Sequence, residues 1–211
     1  VWKLGLETLA WERLPDRIHA RYSMRVEAPV CCVVRGGTLV ALGGDYTVVE
    51  DVRKMNVEVL ERGAETWRSL PLLTFDIHCA FCVLEVEESL SVEGQLCIFG
   101  GFNLEGENRR SYEVYIVDLA TGLCALQPPR LGIPRDSFAW ARLPDGRIIV
   151  AGGWSEYRGH VDTVEVWEPS TGVWRELEGM ERRCDQSSGC LLSDGRFAIF
   201  GGCDHNGDDD K

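Results

Sequence analysis

A diglycine closing a short apolar run returns four times along this 211-residue chain, and the spacing of those returns constrains the fold more than any other feature. The stretches are GGTLVALGG (36–44), EGQLCIFGG (93–101), DGRIIVAGG (145–153) and DGRFAIFGG (194–202). A single glycine stands six residues before each pair: Gly37 before Gly43 and Gly44, Gly94 before Gly100 and Gly101, Gly146 before Gly152 and Gly153, Gly195 before Gly201 and Gly202. The pairs begin 57, 52 and 49 residues apart. A period near fifty that drifts by a few residues describes one supersecondary unit repeated with loops of unequal length. A second landmark keeps step. Trp67 follows Gly43 by 24 residues and Trp174 follows Gly152 by 22, while Cys124 stands 24 after Gly100 and Trp11 ends the same phrase near the N-terminus.

Each unit reads as four short strands. The first is a run such as SFAWARL (137–143), the second ends at the diglycine, the third alternates as in TVEVWEP (163–169), and the fourth carries the tryptophan. Asp-Gly before the second strand, at 145–146 and 194–195, suits a type I′ hairpin turn with positive φ at both central residues. No 3.6-residue apolar period competes with this pattern. The expectation is an all-β chain in one domain. Its whole units lie near 24–72, 76–129 and 134–179, with partial units at 1–15 and 183–211.

Composition narrows the function classes. The chain carries 34 acidic against 22 basic side chains, a formal charge of -12. Nucleic acids and anionic membranes bind basic footprints, so neither is an expected partner, whereas a basic partner is favoured in encounter. No apolar run is long enough to span a bilayer, and the opening VWKLGLETLAWERLPD has charges where a signal peptide needs an apolar core. Nine cysteines, mostly in apolar runs such as PVCCVV and QLCIFGG, read as buried free thiols of a cytosolic or nuclear protein. No metal or other cofactor is expected. Cys79 and Cys82 have metal-like spacing but no second ligand pair, and the acidic run from Asp204 to Asp210 lacks the later glycine and the glutamate at the twelfth position of a calcium loop. Nucleophile elbows, HExxH and phosphate-binding Gly-Lys loops are missing, and His19, His78, His160 and His205 are scattered over different units.

The diglycine after an apolar strand, the aromatic third strand, the Thr-Gly turn and the tryptophan 22 to 24 residues beyond resemble the kelch repeat over essentially the whole chain. The resemblance implies a β-propeller whose four-stranded antiparallel units are blades around an axis. Cys124 departs from the motif and weakens the packing of its blade. The half-units at the two ends are complementary. They either pair to close four blades or mark the chain as a piece of a six- or seven-bladed propeller, and the piece is the preferred reading.

The resemblance also implies that the function is partner binding rather than catalysis, on a face formed by the loops between strands two and three and between blades. The two-three loops offer Tyr46 and Arg53, then Asn103, Arg109, Arg110 and Tyr112, then Trp154, Tyr157, Arg158 and His160. Tyr, Trp and Arg are the types that dominate interface hot spots. Arg25, Arg135 and Arg183 stand just before the first strands, where kelch proteins that bind acidic motifs aim arginines at the channel. The implied partner is a protein or an acidic peptide, and the implied role is substrate recognition in a ubiquitin ligase. The oligomeric state stays open. The alternative is a propeller scaffold of a metal-dependent or carbohydrate-acting enzyme.

Overall fold

The computed structural model describes residues 2–4, 7–16, 30–34, 37–49, 52–71, 82–85, 94–101, 111, 113–127, 131–168 and 171–204. Among the described residues the regular elements are eighteen strands. Three four-stranded sheets follow one another along the chain. The first joins β3 (Val30–Val34), β4 (Thr38–Val49), β5 (Val52–Leu60) and β6 (Arg68–Ser69) in that order. The second joins β7 (Cys82–Glu85), β8 (Gln95–Phe99), β9 (Val114–Asp118) and β10 (Cys124–Gln127). The third joins β11 (Ala139–Arg142), β12 (Ile148–Ala151), β15 (Val164–Glu168) and β16 (Val173–Leu177). A small hairpin, β13 (Trp154–Ser155) with β14 (Gly159–His160), grows out between β12 and β15. Hairpins β1 (Trp2–Leu4) with β2 (Trp11–Arg13), and β17 (Cys184–Leu191) with β18 (Phe197–Asp204), flank the three sheets in sequence. The chain forms two compact units, Val1–Asp76 with Leu84–Gln95 and Asp118–Cys124, and Ile77–Val83 with Leu96–Val117 and Ala125–Lys211.

Burial explains the strand composition. In the third sheet Ile148, Val150, Ala151, Val164, Val166 and Trp167 are all buried, β12 as a nearly continuous apolar run and β15 with buried Glu165 between its valines. Val40, Ala41, Leu42, Val57, Val59 and Leu60 are buried likewise in β4 and β5. The tryptophans close these layers. Trp67 is buried against Ala41, Leu60, Leu14 and Leu39, and its Nε1 donates to the Pro15 carbonyl at 2.9 Å. Trp174 meets Phe99 of the second sheet edge-on at 5.5 Å and stacks on Trp167 at 6.2 Å. Edge-on aromatic contact places a ring's positive rim on its neighbour's negative face, which stabilises beyond the area buried. Trp11 sits opposite Leu4 as Trp174 sits opposite Trp167, yet it is 65% exposed.

Two expectations from sequence need correction. The Asp-Gly turns are not type I′. Only Gly146 and Gly195 have positive φ there, 86° and 85°, and Asp145 and Asp194 do not. Gly146 donates back to the Leu143 carbonyl at 2.9 Å while Leu143 donates to Arg147 at 2.7 Å; Gly195, Leu192 and Arg196 repeat the arrangement at 2.9 and 2.8 Å. This is a three-residue loop, a type I turn followed by one left-handed glycine. The aspartates serve by side chain instead. Asp145 accepts from the Arg147 backbone N–H at 3.1 Å and from its Nε at 2.8 Å, and Asp194 holds Arg196 at the same distances. Second, residues 45–56 are not simply a loop. The ladder of β4 and β5 shifts register between Leu42 and Tyr46, then continues from Tyr46 opposite Met55 to Val49 opposite Val52. Tyr-Thr-Val-Val paired with Val-Arg-Lys-Met carries enough β-branched and aromatic residues to extend the hairpin.

Candidate functional site

The face named by the sequence can be built in the second compact unit, where the β13–β14 hairpin meets the segments that enter β11 and β17. Glycine pairs make the meeting possible. Gly153, at φ 98°, donates its N–H to the Cys184 carbonyl at 2.8 Å, and a Cβ added there would run into the Asp136 carbonyl. Gly101 donates in the same way to the Arg135 carbonyl at 3.1 Å. The diglycine is therefore where one sheet's second strand touches backbone entering the next sheet, and a side chain would hold the two apart.

Backbone bonds then fasten the hairpin from several sides. Asp136 and Trp154 exchange N–H donors at 3.1 and 2.9 Å, Val161 donates to Gly153 at 3.0 Å, and Met180 donates to Asp162 at 2.8 Å. The bases of the loops are thus fixed by the ladder. At the tip, Tyr157 is 66% exposed and Arg158 is exposed beside it. Trp154 and His160, directly opposed, are half-buried. His160 Nδ1 lies 3.4 Å from Asp185 Oδ2, which brings the hairpin beside β17. Ser155 is fully buried and opposes Gly159, whereas His160 opposes Trp154. Serine and histidine point to opposite faces of the ladder, so Ser155, His160 and Asp185 do not form a nucleophile, base and orienter array.

The arginines expected to line a channel separate. Arg135 is 0% exposed. Its Nη1 donates to the carbonyls of Gly152 at 2.9 Å and Thr163 at 3.0 Å, and its Nη2 donates to Thr163 Oγ1 at 2.8 Å and pairs with Glu165 at 3.5 Å. Glu165 in turn accepts from the Gly132 N–H at 3.2 Å. Burial lowers the Arg135 pKa and raises that of Glu165, and the attraction between them works against both shifts. A guanidinium holding five acceptors, with the Ile133 carbonyl 3.5 Å from Nε among them, is part of the scaffold, and it presents nothing to a partner. Arg183, by contrast, is exposed.

Register shows why the two differ. Arg135 lies four residues before Ala139, which pairs with Ala151, the residue before one diglycine. Cys184 lies four before Ser188, which pairs with Phe200, the residue before the next. Cys184 is the counterpart of Arg135, and Arg183 is the counterpart of Pro134. Arg25, Asn103, Arg109, Arg110 and Tyr112 lie outside the described residues. Tyr46 and Arg53 lie in β4 and β5, opposite Met55 and Val48. Sequence reasoning passed over Asp136 and Asp185, both buried. Their signal was available as an aspartate recurring 49 residues apart, each followed by a residue at positive φ, Ser137 and Gln186.

The thiols divide as well. Cys97 is buried, Cys124 and Cys184 are half-buried, and Cys190 and Cys203 are exposed, all of them free. Burial pushes the Cys124 pKa up to about 12 and that of Cys97 higher still.

Comparison with known proteins finds a kelch motif over residues 143–181, the stretch running from the turn before β12 past the end of β16. Three curated relatives are F-box/kelch-repeat proteins of Arabidopsis thaliana. One is 29% identical over 154 residues, covering 71% of this chain and 33% of the relative. A second is 26% identical over 159 residues, covering 75% and 32%. A third is 25% identical over 199 residues, covering 92% and 53%. The chain thus spans from about a third to about half the length of the relatives it matches.

Proposed function

We propose, for a chain that belongs to the kelch-repeat family and has the all-β blade architecture of a propeller, that it is a protein-interaction module acting as the substrate-recognition part of a ubiquitin ligase. The partner is a protein or peptide with an acidic segment, taken on the loop face. The names of the relatives join kelch repeats to an F-box, which supports the ligase role. The observation that carries the reading is the β13–β14 hairpin, whose backbone is fixed at its base while Tyr157 and Arg158 stand exposed at its tip. A rigid aromatic beside a guanidinium gives a large contact area and a bidentate carboxylate grip at small entropic cost. Exposed Arg183 supplies a second cation that the same kind of partner would use. Free thiols suit the reducing cytosol or nucleus, where such ligases work.

The experiment is affinity capture from native cell extract with the wild-type chain and the Tyr157→Ala/Arg158→Glu variant, followed by thermal melts of both. Proteins that bind the wild type should be lost from the variant while the melting temperature stays put. Equal recovery by both chains, or a variant that melts early, would remove the hairpin from the binding face.

A further inference from the structure

The 22 basic side chains are divided very unequally: 19 are arginine, and the three lysines are Lys3, Lys54 and Lys211. Residues 55–210 contain no lysine at all. Lysine ranks among the commonest residues of soluble domains, so a stretch of that length without one calls for a cause.

The fold accounts for some of the arginines. Arg135 needs a fork to reach its buried acceptors, and Arg147 and Arg196 clasp Asp145 and Asp194 through Nε and Nη2 together. An ammonium group cannot reproduce those geometries. Two more it leaves unexplained: Arg62 and Arg175 are exposed, form no ion pair among the described residues and are not among the proposed contact residues. A lysine would supply the same charge and solubility at each of them. What an arginine withholds there is a nucleophilic amine.

That difference matters in one reaction. Ubiquitin travels as a thioester on a cysteine of its conjugating enzyme. A neutral lysine amine attacks the thioester carbonyl, the C–S bond breaks, an isopeptide C–N bond forms, the thiolate leaves and the amine gives up a proton. A guanidinium stays protonated and delocalised at every physiological pH and offers no lone pair for the attack. A substrate recogniser is held beside the charged conjugating enzyme for as long as it serves, so its own amines compete with those of its substrate at high effective concentration.

We propose that arginine replaces lysine on this surface so that the chain, as the recognition part of a ubiquitin ligase, is a poor acceptor for the ubiquitin it helps to transfer. The inference rests on the function proposed above. Its test uses Arg62→Lys/Arg175→Lys, two exposed positions outside the proposed binding face, expressed in cells beside the wild-type chain. Ubiquitin ladders on the immunoprecipitated chain and half-life after a translation block are read out, with and without an inhibitor of ubiquitin activation. The expected result is a ladder on the variant that the wild type lacks, with a several-fold shorter half-life that the inhibitor restores. Equal ladders, or equal half-lives at unchanged melting temperature, overturn the proposal. Recovery of a ligase subunit with the wild-type chain in the same immunoprecipitate reads the parent function separately. With the subunit present and no difference between the chains, only the lysine inference falls; with the subunit missing, both fall.

Discussion

Replacing Arg135 with alanine is the substitution for which binding and scaffold roles give opposite outcomes. The side chain is fully buried, three of its donor bonds are 3.0 Å or shorter, and the carboxylate of Glu165, itself 2% exposed, lies 3.5 Å away. Truncation removes the partner of a buried carboxylate and takes a donor from the carbonyls of Gly152 and Thr163. Breaking a buried ion pair from one side typically costs about 3–5 kcal/mol, because the remaining charge stays desolvated without compensation. Arg135→Ala should therefore lower the free energy of unfolding by about 4 kcal/mol, measured from urea midpoints with the slope checked for constancy. The deficit should depend on pH with a definite sign. Burial already raises the Glu165 pKa above that of the unfolded chain, and the cation that opposes the shift is gone in the variant. A carboxyl with a raised folded pKa stabilises fully below its unfolded pKa, and that contribution fades as pH climbs through the folded value. The variant should thus approach the wild type at acid pH and fall furthest behind at neutral pH. Arg135→Met/Glu165→Met should recover much of the loss, since an apolar pair leaves no stranded charge. A loss under about 1 kcal/mol in Arg135→Ala, the scale of an ordinary surface change, together with lost partner binding would refute the argument and return Arg135 to the binding face.

Three further outcomes follow from the same geometry. Gly153→Ala should cost more than Gly195→Ala in thermal melts. Both pay the left-handed backbone strain of about 1–2 kcal/mol, but only at Gly153 does the new Cβ meet Asp136 and Phe138, and nothing lies within 4 Å at Gly195. Trp174→Ala should cost about 3 kcal/mol through its contacts with Phe99 and Trp167, whereas Trp11→Ala, at 65% exposure, should stay within about 0.5 kcal/mol; equal losses would mean that the two positions are packed alike. Maleimide should label Cys190 and Cys203 in the native chain and reach Cys97 only after denaturant is added; native labelling of Cys97 would contradict its burial.

The repeat was legible because it is imposed by backbone geometry. Gly37, Gly94, Gly146 and Gly195 hold φ between 84° and 92°, a narrow band that other residues reach only under strain, so the same glycine had to be written in each unit. The paired glycines are fixed by close approach, as Gly153 against Asp136 and Gly202 against Asp185 show. Asp-Gly was read correctly as a turn and wrongly as type I′. Both hairpin geometries put a glycine at positive φ, and only the φ of the aspartate before it and the hydrogen-bond pattern at Leu143 and Leu192 separate them.

Arg135 was misread for a related reason. Arg135 and Arg183 both stand just before a first strand, and adjacency in sequence made them look equivalent. Arg183 falls one residue out of register with Arg135, and with that offset one guanidinium enters a buried cage while the other stays in solvent. The paired ladders fix that offset through Ala139 with Ala151 and Ser188 with Phe200. Positions that the backbone requires recur at a constant residue type and can be counted from the sequence alone. Positions that the backbone does not require are free to vary from unit to unit, as Arg135 and Cys184 do at one register place, and counting cannot find those among them that meet a partner. For the same reason the binding residues of this chain should be sought where the units differ: at the tip of the β13–β14 hairpin, with Tyr157 and Arg158 held out by a base whose glycines do not change.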